Sequence, residues 1–258
     1  AMLMSSLSAL PPVSAAETAM TDDLLSVQGI PVERTPEIAL YGAGNTSPDE
    51  QAAYPEDIYS STMGYDVLND TQKSLYRKIK AAAHAFYTGT AAAEGVSYGS
   101  DEEKLPCFAI VSNTDSSLSN EDTVKVISMF RNDNPMYFFV GNNYLYSMDY
   151  DFETEENYVS AVYIACVEEY TSGTARQAER RALETQITAA REQVEAQDTA
   201  WAKSRAANDW LCNSLTYAYD ASGNPDDSMA SHSIVGAFDE RYCAAVCEGY
   251  AKAFQLLM

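Results

Sequence analysis

Tyr158-Val159-Ser160-Ala161-Val162-Tyr163-Ile164-Ala165 constrains this chain more than any other stretch. It is rich in β-branched and aromatic side chains and reads as a strand. Phe108-Ala109-Ile110-Val111 is a second short strand, and Met136-Tyr137-Phe138-Phe139-Val140 reads as a buried third. Tyr144-Leu145-Tyr146-Ser147-Met148 is expected as the hairpin partner of that third strand. Gly141-Asn142-Asn143 supplies turn chemistry between the two.

Segments of helical period stand beside these strands. Asp70 can cap a helix carrying Leu75, Ile79, Ala82 and Phe86 on one face, with Gly89 at its end. A small-residue loop is expected after it. Asn120 precedes a helix with Val124, Ile127 and Met129-Phe130, broken at Asn134-Pro135. Thr174-Ala175-Arg176-Gln177 has the form of a capping box. The next helix spaces Leu183, Ile187, Ala190 and Val194 on one stripe, and its charged residues read as a solvated face. Gln197-Asp198-Thr199 opens another helix with Trp201, Ala207, Trp210, Leu211 and Leu215. The fold class that follows is α+β.

Composition narrows the function. Sixteen basic against 38 acidic residues leave a net charge of -22, which repels phosphate backbones and anionic membrane surfaces. Neither nucleic acid nor a membrane surface is therefore an expected partner, and no apolar run is long enough to span a bilayer. Residues 1–16 are apolar and small, ending Pro12-Val13-Ser14-Ala15-Ala16, like the rear of a secretory signal and its cleavage site. Export to the outside of the cell or its surface is expected. Residues 17–68, with Pro31, Pro36, Pro48 and Pro55, hold no persistent period and read as an acidic linker or wrapped extension. Residues 69–197 form an α+β domain, and 198–258 begin a second one.

The metal-binding patterns fail. The five cysteines (Cys107, Cys166, Cys212, Cys243, Cys247) contain no CxxC pair, a Cys243–Cys247 pair on one helix face rarely suits a disulfide, and a Cys107–Cys166 bridge between strands can form. The acidic stretches Asp149–Glu156 and Asp220–Asp227 alternate oxygen ligands as calcium loops do, but their glycines are missing or misplaced. No metal or cofactor is expected. His84, between alanines, and His232, in a loop, read as structural histidines.

Cys247 is the candidate nucleophile. At the start of a helix its sulfur meets free N–H groups and the positive end of the macrodipole, which favour a thiolate and can hold an oxyanion. The competing reading is a buried cysteine on an apolar helix. Resemblance separates the two. Asp209-Trp210-Leu211 and Tyr217 come first, then His232 with Gly236-Ala237-Phe238. Val246-Cys247-Glu248-Gly249-Tyr250-Ala251 and Ala253-Phe254 complete the series. In that order these blocks resemble the transglutaminase-like superfamily in its bacterial, secreted, papain-related form. Residues 69–164, with Asp133-Asn134-Pro135 and Tyr137-Phe138-Phe139, are similar to the domain that often precedes that core. Asn208 departs from the histidine common before the aspartate, and the stretch Asp239–Ala245 runs about two residues long. Cys243 therefore stays in view, although Gly-Tyr-Ala follows only Cys247.

The resemblance implies a Cys-His-Asp triad acting on protein or peptide substrates by acyl transfer or hydrolysis. It puts the His and Asp on strands after the nucleophile helix. With the chain stopping at Met258, these residues alone are expected to be inactive. A non-catalytic binding or scaffolding module of the same family is the alternative.

Overall fold

The computed structural model describes residues 27–32, 54–99, 103–113 and 117–258. The leader-like stretch 1–16 and most of 17–53 lie outside the described residues. The fold is α+β: the described residues form seven α-helices and one mixed five-stranded sheet, with a two-stranded parallel pair near the C-terminus.

The sheet runs β1 (Gln28–Pro31), β4 (Val140–Asp151), β5 (Glu156–Cys166), β3 (Glu103–Ser112) and β2 (Glu94–Tyr98). β5 contains the opening run and lies at the centre, antiparallel to both β4 and β3. Its residues are apolar on consecutive positions because both faces are covered. Val162 and Ile164 face the main core, and Ala161 and Tyr163 a smaller cluster with Leu145 and Val96.

Two helices lie over the main face. α2 (Asp70–Thr88) starts one residue earlier in its capping logic than the sequence suggests. Asn69 is the cap, accepting from the Gln72 amide at 2.9 Å while Gln72 Oε1 accepts from the Asn69 amide at 3.0 Å. α3 (Asn120–Asp133) is capped by Ser119 with Asp122 in the reciprocal role. Asp133 at its end accepts from the Gly64 and Tyr65 amides at 3.0 and 2.8 Å, tying down α1 (Met63–Asp66).

Three expectations about the strands and their connections are corrected. Met136–Phe139 is not a strand. The Tyr137 amide donates to Asn134 O at 3.1 Å and the Val140 amide to Tyr137 O at 3.0 Å, so the segment folds into successive tight turns. Its aromatics are a core plug: the Phe139 ring lies 5.1 and 5.2 Å from those of Phe86 and Phe108. A run buried on every side carries no period that tells strand from turn. Gly141-Asn142-Asn143 is accordingly not a hairpin turn. It lies inside β4, where Asn143 pairs with Gln28 of β1 and the register against β5 shifts between Val140 and Tyr144. The hairpin tip is instead the acidic turn between β4 and β5. The small-residue loop expected after α2 contains β2, an edge strand whose exposed, glycine-bearing sequence gives no alternation.

α4 (Gly173–Glu195) begins at a Ser172 cap that accepts from the Ala175 amide at 3.2 Å, rather than at Thr174. Not all of its charges face solvent. Arg176 and Glu179 are buried, on the N-terminal continuation of the Leu183–Ile187 stripe. α5 (Ala200–Ser214), capped by Thr199, and α7 (Cys247–Leu257) pack on α4, and α6 (Ile234–Phe238) packs on α7. One core cluster runs from Val27 to Leu257.

Candidate functional site

α7 begins where β7 (Ala244–Ala245) ends. β7 pairs in parallel with β6 (Thr216–Tyr217), and this pairing aims the chain at the helix start. Val246 is the N-cap in extended conformation, φ -94° and ψ -178°, held by its amide donating to Ser231 O at 3.0 Å. Its hydrocarbon side chain offers no acceptor, so the first-turn N–H groups of α7 receive no side-chain cap from it. Cys247 is the first residue of the helix and its thiol is exposed.

The loop 231–233 lies against this first turn. A Cβ on Gly249 would meet Ser231 O at 2.4 Å, so only glycine allows the approach. Tyr250 and Phe254 pack on the core, and Leu257 lies in it. Cys243, the other thiol near the motif, is exposed four residues earlier. It sits in a turn at φ 48° with its sulfur against Asp239 O and Glu240 O, away from any helix start.

α7 also carries a charged network that the sequence pattern does not reveal. Glu248 Oε2 lies 3.1 Å from His232 Nδ1, and Lys252 Nζ donates to Glu248 Oε1 at 2.5 Å and to His232 O at 3.2 Å. Burial pushes the Glu248 carboxyl up, but the His232 hydrogen bond and the charges of Lys252 and Arg131 outweigh it and hold the group at about 2. Burial pushes the Lys252 ammonium down to about 8, with Arg131 adding to the fall and Glu248 opposing it. The i, i+4 spacing of Glu248 and Lys252 was the available signal. It was masked because Lys252 sits in a mostly apolar helix where a lysine reads as solvent-facing.

Both histidines are engaged elsewhere than at Cys247. His232 turns its Nδ1 to Glu248, and His84 stacks on Tyr54 at 3.8 Å between ring centroids with Nδ1 2.5 Å from Glu56 Oε1. Aromatic contacts link α5 to α6 and β6 to α7. Trp210 stacks on Phe238 at 5.1 Å, and Tyr217 on Tyr250 at 6.4 Å. Asp209 is on the exposed side of α5, 3.7 Å from Arg205. The five cysteines are free thiols, and the strand-to-strand Cys107–Cys166 bridge does not form. No helix among the described residues is long and apolar enough to cross a membrane.

No family model matches the chain, and neither a curated protein nor a solved structure does.

Proposed function

We propose that this chain is part of an exported transglutaminase-like cysteine enzyme in which Cys247 is the nucleophile. The observation that carries the reading is the placement of Cys247. It is an exposed thiol at the first position of α7, beside first-turn N–H groups that Val246 leaves uncapped. A thiolate there attacks the carbonyl carbon of a glutamine side-chain amide or a peptide bond. The C–N bond breaks, the leaving nitrogen takes a proton, and a thioester remains until an amine or water resolves it. The first-turn N–H groups are the donors for the oxyanion that forms on the way.

Neither His232 nor His84 is in this reading the base. Each has its Nδ1 at a glutamate rather than at Cys247. That same engagement of both histidines favours the second reading, a non-catalytic binding module of the family at the cell surface. The substrate class in the first reading is a protein or peptide.

Alkylation tests the nucleophile. Iodoacetamide at neutral pH, followed by peptide mass spectrometry, compares Cys247 with the two other exposed thiols, Cys212 and Cys243, in one molecule. Cys247 is expected to react at least about tenfold faster, as thiols at helix starts do. Equal rates at the three positions would sink the catalytic reading and leave the binding module.

A further inference from the structure

A small cavity of about 10 Å³ lies between the end of α3, the turns that follow it, the loop 229–233 and α7. Phe130, Pro135, Phe138 and Val140 are among its apolar walls. Arg131 and Lys252 line it together, and among the described residues no carboxylate does. That is an unusual lining for a chain with 38 acidic and 16 basic residues.

Donors exceed acceptors around this space. Among the described residues Arg131 makes no hydrogen bond and no ion pair, although it is half-buried. None of its side-chain nitrogens is sealed off, so a ligand can reach its N–H groups. Lys252 Nζ uses two of its three N–H groups, on Glu248 Oε1 and His232 O. The nearby oxygens have partners of their own. Ser233 Oγ accepts from the Val235 amide at 3.2 Å, and Asn134 Oδ1 from Ser60 Oγ at 3.1 Å. Arg131 and Lys252 also repel one another, since the charge of Arg131 adds to the fall in the ammonium's hold on its proton. Glu248 acts on both cations, and one carboxylate against two cations leaves one positive charge in excess.

We propose that this cavity binds a single halide ion of the size of chloride, held between Arg131 and Lys252. Its one negative charge cancels the excess and relieves the repulsion between the two cations. It accepts from the guanidinium and from the third N–H of the ammonium, and such charge-assisted bonds are the strong ones. Room decides the class of anion. A space of about 10 Å³ takes about one water-sized sphere, which suits a halide and shuts out phosphate, sulfate and lipid headgroups. The apolar walls keep water from screening the attraction. Arg131 lies in the last turn of α3 and Lys252 on the helix that Cys247 opens, so the ion ties the sheet-bearing part of the molecule to α7.

Chlorine NMR of the whole chain tests the site. Sodium chloride is titrated at fixed ionic strength, held with sodium gluconate, whose bulk keeps it out of the cavity. An excess chloride line width that saturates is expected, because bound chloride relaxes far faster than free chloride. Bromide, a sphere of nearly the same size, should displace it. Acetate, which needs room for two oxygens, should not. Arg131→Gln, checked for its fold by circular dichroism, should weaken binding at least about tenfold, the scale of one charge-assisted hydrogen bond. Arg131→Lys keeps the charge without the guanidinium fork, and it should weaken binding to a smaller degree. Chloride should also raise the thermal midpoint of the parent more than that of Arg131→Gln. Absence of saturable broadening overturns the proposal. So does equal affinity in the parent and both folded variants, since the ion would then be held elsewhere. Displacement by acetate as effective as by bromide overturns it as well.

Discussion

The guanidinium carbon of Arg176 lies 3.4 Å from the centroid of the Phe86 ring, where the last turn of α2 meets the first turn of α4. The contact joins the sheet-bearing part of the molecule to the helices that present Cys247. It combines a cation over an aromatic face with hydrogen bonds from the same group. Arg176 Nε donates to Phe86 O at 2.8 Å, Nη1 to Tyr170 O at 3.1 Å, and Nη2 to Gly89 O and Ala91 O at 3.2 and 2.7 Å. Burial lowers the guanidinium's hold on its proton from the ordinary value, and the nearby Cys166 opposes that fall.

Arg176→Met should therefore cost about 3 kcal/mol or more, because it leaves buried carbonyls without donors while keeping most of the hydrocarbon. Arg176→Lys should recover only part of the loss, since an ammonium cannot span carbonyls the planar fork reaches together. Urea denaturation of the two variants checks this. A midpoint unchanged in Arg176→Met would show that the four bonds contribute nothing net.

The cysteines divide by burial. Burial pushes the Cys107 thiol up to about 12, with a further push from Cys166, and burial pushes Cys166 itself up to about 12 against some relief from Arg176. Iodoacetamide on the native protein should modify Cys212, Cys243 and Cys247, and reach Cys107 and Cys166 only after unfolding. Intact mass before and after denaturant reads the two sets. Native labelling at Cys107 would contradict its burial, and a mass showing a Cys107–Cys166 bridge would contradict the free state of the two thiols.

What was legible in the sequence were the elements with one apolar face. The stripes of α2 and α4 set those helices, and the unbroken run 158–165 set the central strand β5. Met136–Phe139 misled because total burial removes the period, whether the backbone extends or turns. β1 and β2 were missed because edge strands are short and half exposed, so their pairing is decided by distant partners rather than by local pattern. In the site, the helix start at Cys247 followed from its neighbours in sequence. Glu248 with His232, and Glu179 with Asp239, did not. Each pair joins segments brought together only by tertiary packing, and a lone charge on a helix reads as solvent-facing until its partner is placed.

Gly249 gives a local test of the site's geometry. Gly249→Ala puts a methyl group 2.4 Å from Ser231 O and 2.8 Å from Ala245 Cβ, and the first of these is backbone, which cannot swing away. Helix propensity favours alanine by about 1 kcal/mol. The clash should still win, with a net loss of about 1–3 kcal/mol from overpacking. The thermal midpoint should fall, and the rate of Cys247 alkylation should change with it as the 231–233 loop lifts off the helix start. A variant more stable than the parent would show that the loop does not press on α7.

Two glutamates set opposite limbs of the pH dependence. Glu248 has its folded value at about 2, below the roughly 4.3 of a free glutamate, so its contribution is complete above the unfolded value and is lost as pH falls toward the folded one. Glu179 runs the other way. Burial first, then the bond to Asp239 and that group's charge, raise its carboxyl to about 7, against the pull of Arg241. Its contribution is complete below the unfolded value and is lost as pH rises through about 7. Asp239, Arg241 and Tyr170 are the titratable or charged groups coupled to it there. Asp239 is held below its ordinary value and belongs with Glu248 on the acid limb: burial opposes that fall, and the bonds from Arg241 outweigh it. Urea midpoints measured from acid to mildly alkaline pH separate the two glutamates. Glu248→Gln should flatten the fall below about pH 4.3 and leave the neutral region alone. Glu179→Gln should flatten the decline through neutrality and leave the Glu248 part of the acid limb in place. A Glu179→Gln profile parallel to the parent's through neutrality would mean that Glu179 is already ionised in the folded protein.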